Sequence, residues 1–191
     1  MKVLIACEYS GRVRQAFRDR GHDAWSCDLL PSEDNSEWHI QGDVVPLLQM
    51  KWDLIVAHPP CTYLCNSGVR WLHERPERWE LMREGAEFFR IFMDAAPMVA
   101  IENPVMHRYA LDIVGRKPDF TVQPWQFGDN FKKRTCFWTK GLPALKPTSD
   151  LDGSNAKAEV HMASPGPDRW KLRSRTYQGI ANAIADQWGN I

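Results

Sequence analysis

The run Trp52-Asp53-Leu54-Ile55-Val56-Ala57-His58-Pro59-Pro60-Cys61 decides how this chain is read. Leu54 to Ala57 contains no polar residue, so it reads as a strand buried on both faces, and the two prolines stop it because neither can donate to a ladder. A thiol emerges just past the stop. About forty residues on, Pro97-Met98-Val99-Ala100-Ile101-Glu102-Asn103-Pro104 repeats the pattern, an apolar run that ends in a carboxylate and an amide. Between the two, Glu77 to Ala96 places Trp79, Met82, Ala86, Phe89 and Met93 three and four residues apart, which reads as a long amphipathic helix. Strand, helix, strand is the unit of a parallel sheet, so both runs deliver their last residues to one edge. A thiol and an acid at one sheet edge suit covalent attack on an electron-poor ring, with the acid holding a ring nitrogen.

The same alternation extends outward. Val3 to Ala6 reads as a buried strand, Gly11 to Arg20 as a helix, Gly21 as a turn and Ala24 to Cys27 as a second strand. Ile40 to Val45 holds a short third strand or its exit loop. Beyond residue 115, Phe120 to Trp125 and Thr135 to Trp138 read as an antiparallel edge pair, residues 139–168 as a loop rich in Pro, Gly, Ser and Asp, and Ser174 to Trp188 as a closing helix. The expected fold is α/β, a doubly wound, Rossmann-like sheet, mostly parallel with an antiparallel edge, in a single domain over residues 1–191.

Composition sets outer limits. At 191 residues and 43% hydrophobic, the chain is long enough for one well-buried core and short for two. Met1-Lys2 runs straight into a strand pattern, and no apolar stretch approaches the roughly 18 residues of a membrane span, so a soluble, cytoplasmic protein is expected. Cysteines at 7, 27, 61, 65 and 136 show no paired CxxC spacing, so neither a disulfide framework nor a metal is expected. Net charge is zero, yet residues 1–115 carry 12 Lys/Arg against 17 Asp/Glu, whereas residues 116–191 carry 12 against 7. Phosphate-bearing partners belong on the C-terminal side.

The remaining strand ends carry further candidates. The first βα turn, Cys7-Glu8-Tyr9-Ser10-Gly11, sits where a doubly wound fold places its cofactor, but without GxGxxG it argues against nicotinamide or flavin. Asp28 ends the second strand, where a carboxylate can bond ribose hydroxyls. Asp43 ends the third, where one can accept from an adenine amino group. Together they suggest a nucleoside-containing cofactor.

With these residues in place the chain resembles a small member of the cytosine C5-methyltransferase family, which uses S-adenosylmethionine. Pro59-Pro60-Cys61 matches the family's nucleophile motif, and Glu102-Asn103 its Glu-Asn-Val motif with Pro104 for Val. Gly128 and Lys132-Lys133-Arg134 fall where the family carries Gln-x-Arg-x-Arg. Gly179-Ile180-Ala181-Asn182-Ala183-Ile184 is similar to its Gly-Asn-Ala-Val motif. The Phe-x-Gly-x-Gly turn survives only as Gly11. About thirty residues separate Trp138 from the closing helix region, too few for a target-recognition domain, so the loop region 139–170 stands in its place.

The resemblance implies a DNA (cytosine-5-)-methyltransferase with little sequence specificity. Cys61 would add to C6, Glu102 would bond N3 and the exocyclic amine, and Arg134 would bond O2, with Lys133 or Arg134 easing thiolate formation. Glu8, Gly11, Asp28, Asp43, Pro59 and Asn182 would hold S-adenosylmethionine; Lys133, Lys171, Arg173 and Arg175 would meet nucleic acid. Expected partners are DNA or a pyrimidine nucleotide, with a homodimer possible and neither membrane nor metal. A C5-modifying enzyme of free pyrimidine nucleotides and a non-catalytic nucleic-acid-binding relative are the alternatives. Glu102-Asn103 also reads as a cap on a helix starting near Pro104. Cys65 reads as packing, Trp71, Trp125 and Trp170 as platforms on which a base could stack, and His58 and His161 as without a role.

Overall fold

Apolar strand residues alternate between two covered faces, which is why the strand sequences are continuous apolar runs. The structure, a computed structural model, describes residues 1–158, 166 and 169–191. Its strands are β1 (Lys2–Ala6), β2 (Asp23–Asp28), β3 (His39–Gln41), β4 (Leu54–Ala57), β5 (Met98–Pro104), β6 (Phe120–Val122) and β7 (Thr135–Lys140). They form one sheet in the order β3-β2-β1-β4-β5-β7-β6. Pairs β1–β2, β1–β4, β2–β3 and β4–β5 are parallel, and β7 runs antiparallel to both β5 and β6. The expected α/β sheet with an antiparallel edge is therefore what the chain forms, and the doubly wound order puts its switch point between β1 and β4.

On one face Leu4, Ile55, Val99 and Ile101 pack against Leu72 of helix α2 (Arg70–Glu74), Met82, Ala86 and Phe89 of α3 (Arg78–Arg90), and Ala110 and Val114 of α4 (Arg108–Val114). On the other, Val3, Ile5, Val56 and Ala100 pack against Val13, Ala16 and Phe17 of α1 (Arg12–Arg18) and against Ile180, Ile184 and Trp188 of the closing helix Gln178–Trp188. Each fully buried side chain of this size contributes roughly 1.5–3 kcal/mol of transfer free energy. Gly179 lets the closing helix dock: a Cβ there would lie 2.0 Å from the Phe127 carbonyl oxygen.

Several boundaries differ from the sequence reading. The strand expected through Trp125 stops at Val122, because Pro124 opens a 3-10 turn capped by Gln123. The closing helix starts at Gln178 rather than Ser174, since Tyr177 is extended (φ −68°, ψ 144°) and a separate short helix spans Arg169–Ser174. The crossover helix ends at Arg90, and turns carry Ile91 to Ala96 back to β5. Among the described residues no helix is long and apolar enough to cross a membrane, and no group of three or more His, Cys, Asp or Glu could hold a metal ion. His161 lies outside the described residues.

Candidate active site

Parallel pairing of Ala57 with Ile101 makes β4 and β5 end in step, so His58 and Glu102 emerge side by side. Both follow Val56 and Ala100 by two residues and so leave on the face covered by α1 and the closing helix. His58 Nδ1 lies 3.0 Å from Glu102 Oε2. An ionised carboxylate only accepts, so Nδ1 bears the proton. Burial works to raise the Glu102 pKa, but the His58 hydrogen bond and the Lys133 charge oppose it, and the carboxyl is held below its usual range. His58, given no role from sequence, is thus Glu102's direct partner. The signal that could have found it is the matched length of the two apolar runs.

The loop beyond β4 is pinned to the segment beyond β5. Asn103, itself buried, donates from Nδ2 to the Pro59 carbonyl at 2.9 Å. The Asn66 amide donates to the Val105 carbonyl at 2.8 Å and the His107 amide to the Leu64 carbonyl at 3.0 Å. His107 also donates from Nε2 to the Tyr63 carbonyl. Asn103 is therefore not a helix cap: α4 begins at Arg108, and His107 caps it by accepting the Ala110 N–H on Nδ1 at 3.1 Å. The cap reading of Glu102-Asn103 is overturned because β5 runs straight through both residues.

Within this pinned loop the Cys65 amide donates to the Cys61 carbonyl at 3.0 Å, a turn that sets the two thiols against each other. Cys61 is half-buried. Its thiol is pushed up by the Cys65 contact, by burial and by Glu102, against the opposing pull of Lys133. Cys65 is held down to about 5: the Cys61 hydrogen bond lowers it most, burial opposes, and Ser67 and Arg173 lower it further. Its Sγ is 3.2 Å from Ser67 Oγ. The two thiols are thus shifted in opposite directions by their mutual contact.

Lys133, not Arg134, faces this site. Alternation along the chain sends Lys133 and Thr135 one way and Arg134 and Cys136 the other. The Lys133 charge acts on both Cys61 and Glu102, and its Nζ donates to the Arg175 carbonyl at 3.1 Å. Glu102, Lys133, Thr135, Thr176, Tyr177 and Ile180 line a narrow crevice. Arg134 is exposed and its charge acts on Cys136, so the O2-binding role expected of it is not supported by its placement.

Toward β1 to β3, Asp28 is half-buried, accepts the Leu30 N–H at 3.0 Å, and has its pKa raised by burial against its hydrogen bonds. Asp43 is exposed and accepts the Val45 N–H. Both carboxylates act on the thiol of Cys7, whose backbone is left-handed at φ 59°. Acceptors at neighbouring strand ends around a backbone bend suit a ligand that offers hydroxyl and amino donors, which S-adenosylmethionine does. Pro59 is buried at the same edge. Glu8 has its carboxylate taken up by the helix instead: Oε1 accepts the Val13 N–H at 2.8 Å and Oε2 the Arg14 N–H at 3.2 Å. Gly11, at φ 70°, leaves room for the Arg14 guanidinium, 2.4 Å from where a Cβ would sit; Arg14 in turn pairs with Asp34 and donates to Ser26 Oγ. Glu8 and Gly11 thus build α1, and Asn182 lies exposed on the closing helix, bonded to Gln178. None of these three is placed as a cofactor ligand.

The short basic helix Arg169–Ser174 folds over the first βα turn. Tyr9 donates from its hydroxyl to the Lys171 carbonyl at 3.1 Å, and its ring meets Trp170 at 5.8 Å. Arg175 forms a two-point ion pair with Glu33, Nε to Oε2 at 3.0 Å and Nη2 to Oε1 at 2.5 Å. Arg175 is therefore paired within the chain. The Arg173 charge acts on Cys65, so it points to the site. Lys171 lies over the Trp170 ring at 5.8 Å. Trp125 is covered by Gly153, and Trp71 by Arg70 and Arg75, which leaves Trp170 as the exposed ring of the three. No protein-family model matches this chain, and no curated protein matches it.

Proposed function

We propose that this protein is an S-adenosylmethionine-dependent methyltransferase that modifies C5 of cytosine in DNA through a covalent Cys61 intermediate, with little sequence context. The observation that carries the reading is the convergence of Cys61, in the loop beyond β4, Glu102, near the end of the adjacent parallel strand β5, and Lys133, in the segment before β7, whose charge acts on both. As Cys61 adds its sulfur to C6 of the ring, its thiol proton passes to Glu102, which relays it to N3 and so neutralises the negative character the ring gains; the carboxylate then accepts from the N3–H and from the exocyclic amine. Lys133 stabilises charge at both the thiol and the acid. When bound, S-adenosylmethionine supplies an electrophilic methyl group for C5, and Asp28 and Asp43 would hold its ribose and adenine. A target inside duplex DNA has to be flipped out, at a cost of a few kcal/mol.

One observation favours a smaller substrate. Arg175 is neutralised by Glu33, and Lys133 and Arg173 bear on the site rather than on an open flank. That leaves fewer free cations for a polynucleotide backbone, and a free pyrimidine nucleotide is the second reading.

The test is trapping. An oligonucleotide and a nucleotide, each carrying 5-fluorocytosine, are incubated with protein and S-adenosylmethionine, and peptides are mapped by mass spectrometry. An adduct on Cys61, lost in Cys61→Ser, is expected with the oligonucleotide. An adduct with the nucleotide alone moves the reading to the nucleotide pool, and no adduct with either refutes it.

A further inference from the structure

Adding sulfur to C6 and methyl to C5 leaves a ring carbon that carries both its new methyl group and its original hydrogen. The ring is restored only when a base takes that hydrogen as a proton. The C5–H electron pair then becomes the C5=C6 double bond, and Cys61 Sγ departs from C6 as a thiolate. At that moment Cys61 is bonded to the ring and Glu102 is engaged at N3, Lys133 and Arg173 are cations, and Cys65, held down to about 5, is a weak base. The reaction needs a stronger acceptor.

His58 has the required state. Its Nδ1 faces Glu102 Oε2 at 3.0 Å and is the proton-bearing nitrogen of the tautomer this contact selects, which makes Nε2 the accepting nitrogen. Nε2 is buried without a hydrogen-bond partner, in a side chain only 8% exposed. A carboxylate that orients one imidazole nitrogen and leaves the other for the substrate is the arrangement hydrolytic triads use.

Its location fits as well. His58 is the first residue beyond β4, at the switch point of the sheet, and its amide donates to the Ala6 carbonyl of β1 at 2.9 Å. The ring lies within electrostatic reach of both Asp28 and Glu102, so it stands between the acid for the substrate edge and the acid for the cofactor ribose. C5 has to occupy that same interval, because it is where the held ring meets the methyl donor.

We infer that His58 is a catalytic base whose Nε2 removes the C5 proton of the Cys61 adduct, with Glu102 holding the imidazole in the necessary tautomer. The inference rests on the C5 reading above, and it adds a residue to which sequence gave no role.

The deciding experiment needs no cofactor. Thiol addition alone makes C5 basic, so solvent protons enter there and the original hydrogen is removed by the same base. Protein is incubated with 5-deuterated cytosine, in an oligonucleotide and as the free nucleotide, and label loss is followed by mass spectrometry. The wild type is expected to wash out the label, and Cys61→Ser is expected not to. His58→Asn retains an amide N–H for Glu102 but has no ring nitrogen at the Nε2 position; exchange is expected to slow by about 100-fold or more, with an unchanged melting temperature. His58→Gly is expected to regain exchange when imidazole is added. Wild-type exchange rates in His58→Asn would overturn the assignment and leave the Cys61 reading standing. Slow exchange that imidazole does not restore in His58→Gly would overturn it too, reducing His58 to a positioning role. No exchange in the wild type on either substrate overturns both readings.

Discussion

The lowered Cys65 thiol makes a prediction whose size depends sharply on pH. A thiol lowered from 9.0 to about 5 is half ionised at pH 5, where an ordinary thiol is ionised to about one part in ten thousand. The gain in thiolate population is therefore about 5,000-fold at pH 5 and about 100-fold at pH 7. Intrinsic nucleophilicity falls with pKa at a Brønsted slope of about 0.4–0.5, so the same four-unit drop costs about 40- to 100-fold in rate. At pH 7 the two effects nearly cancel. At pH 5 Cys65 should react about 50- to 125-fold faster than an ordinary thiol. The assay is the release of chromophore from an aromatic disulfide at pH 5 and pH 7, with the labelled peptide identified by mass spectrometry. Competition from the other thiols is small, because burial pushes up Cys7, Cys27 (to about 11) and Cys136. Cys65→Ala should abolish the fast phase at pH 5. It should also move labelling of Cys61 to lower pH, because the Cys65 contact is the first cause of its elevation. Labelling of Cys61 ahead of Cys65 in the wild type, or no fast phase at pH 5, would refute this division between the two thiols.

Lys133→Met should reduce adduct formation on Cys61 far more than Arg134→Met, since only the former charge acts on both Cys61 and Glu102; equal losses in the trapping assay would count against the crevice as described. Asn103→Ala removes the bond to the Pro59 carbonyl and leaves that acceptor buried, at a cost of about 1–3 kcal/mol. Denaturant melts should show that loss without a change in slope. Glu102 has a pKa lowered in the folded state, so its stabilising contribution is present above the usual carboxylate range and is lost as pH falls through the folded pKa. The stability difference between wild type and Glu102→Gln should accordingly be largest near neutrality and shrink on acidification, which thermal melts across pH 3 to 7 would measure.

Much of this architecture was legible in the chain. Leu54 to Ala57 and Met98 to Ile101 are apolar at every position because helices cover both faces of the sheet, and that pattern survives any detail of packing. Met82, Ala86 and Phe89 mark the buried stripe of α3 for the same reason. Boundaries were less legible where side-chain bonds end an element, as Gln123 does after β6.

At the candidate site the division is sharper. Sequence alone determined that a thiol and an acid stand at the ends of neighbouring strands, because apolar runs and prolines are local signals. Tertiary structure alone decided which neighbours those groups have. The parallel register of β4 and β5 set His58 against Glu102, and the alternation before β7 turned Lys133 inward and Arg134 outward. A turn between Cys61 and Cys65 set the two thiols against each other, and an ion pair joined Arg175 to Glu33. Burial and charge pairing act through space over a few ångströms, between residues as far apart as Glu33 and Arg175, so no local pattern in the chain carries them.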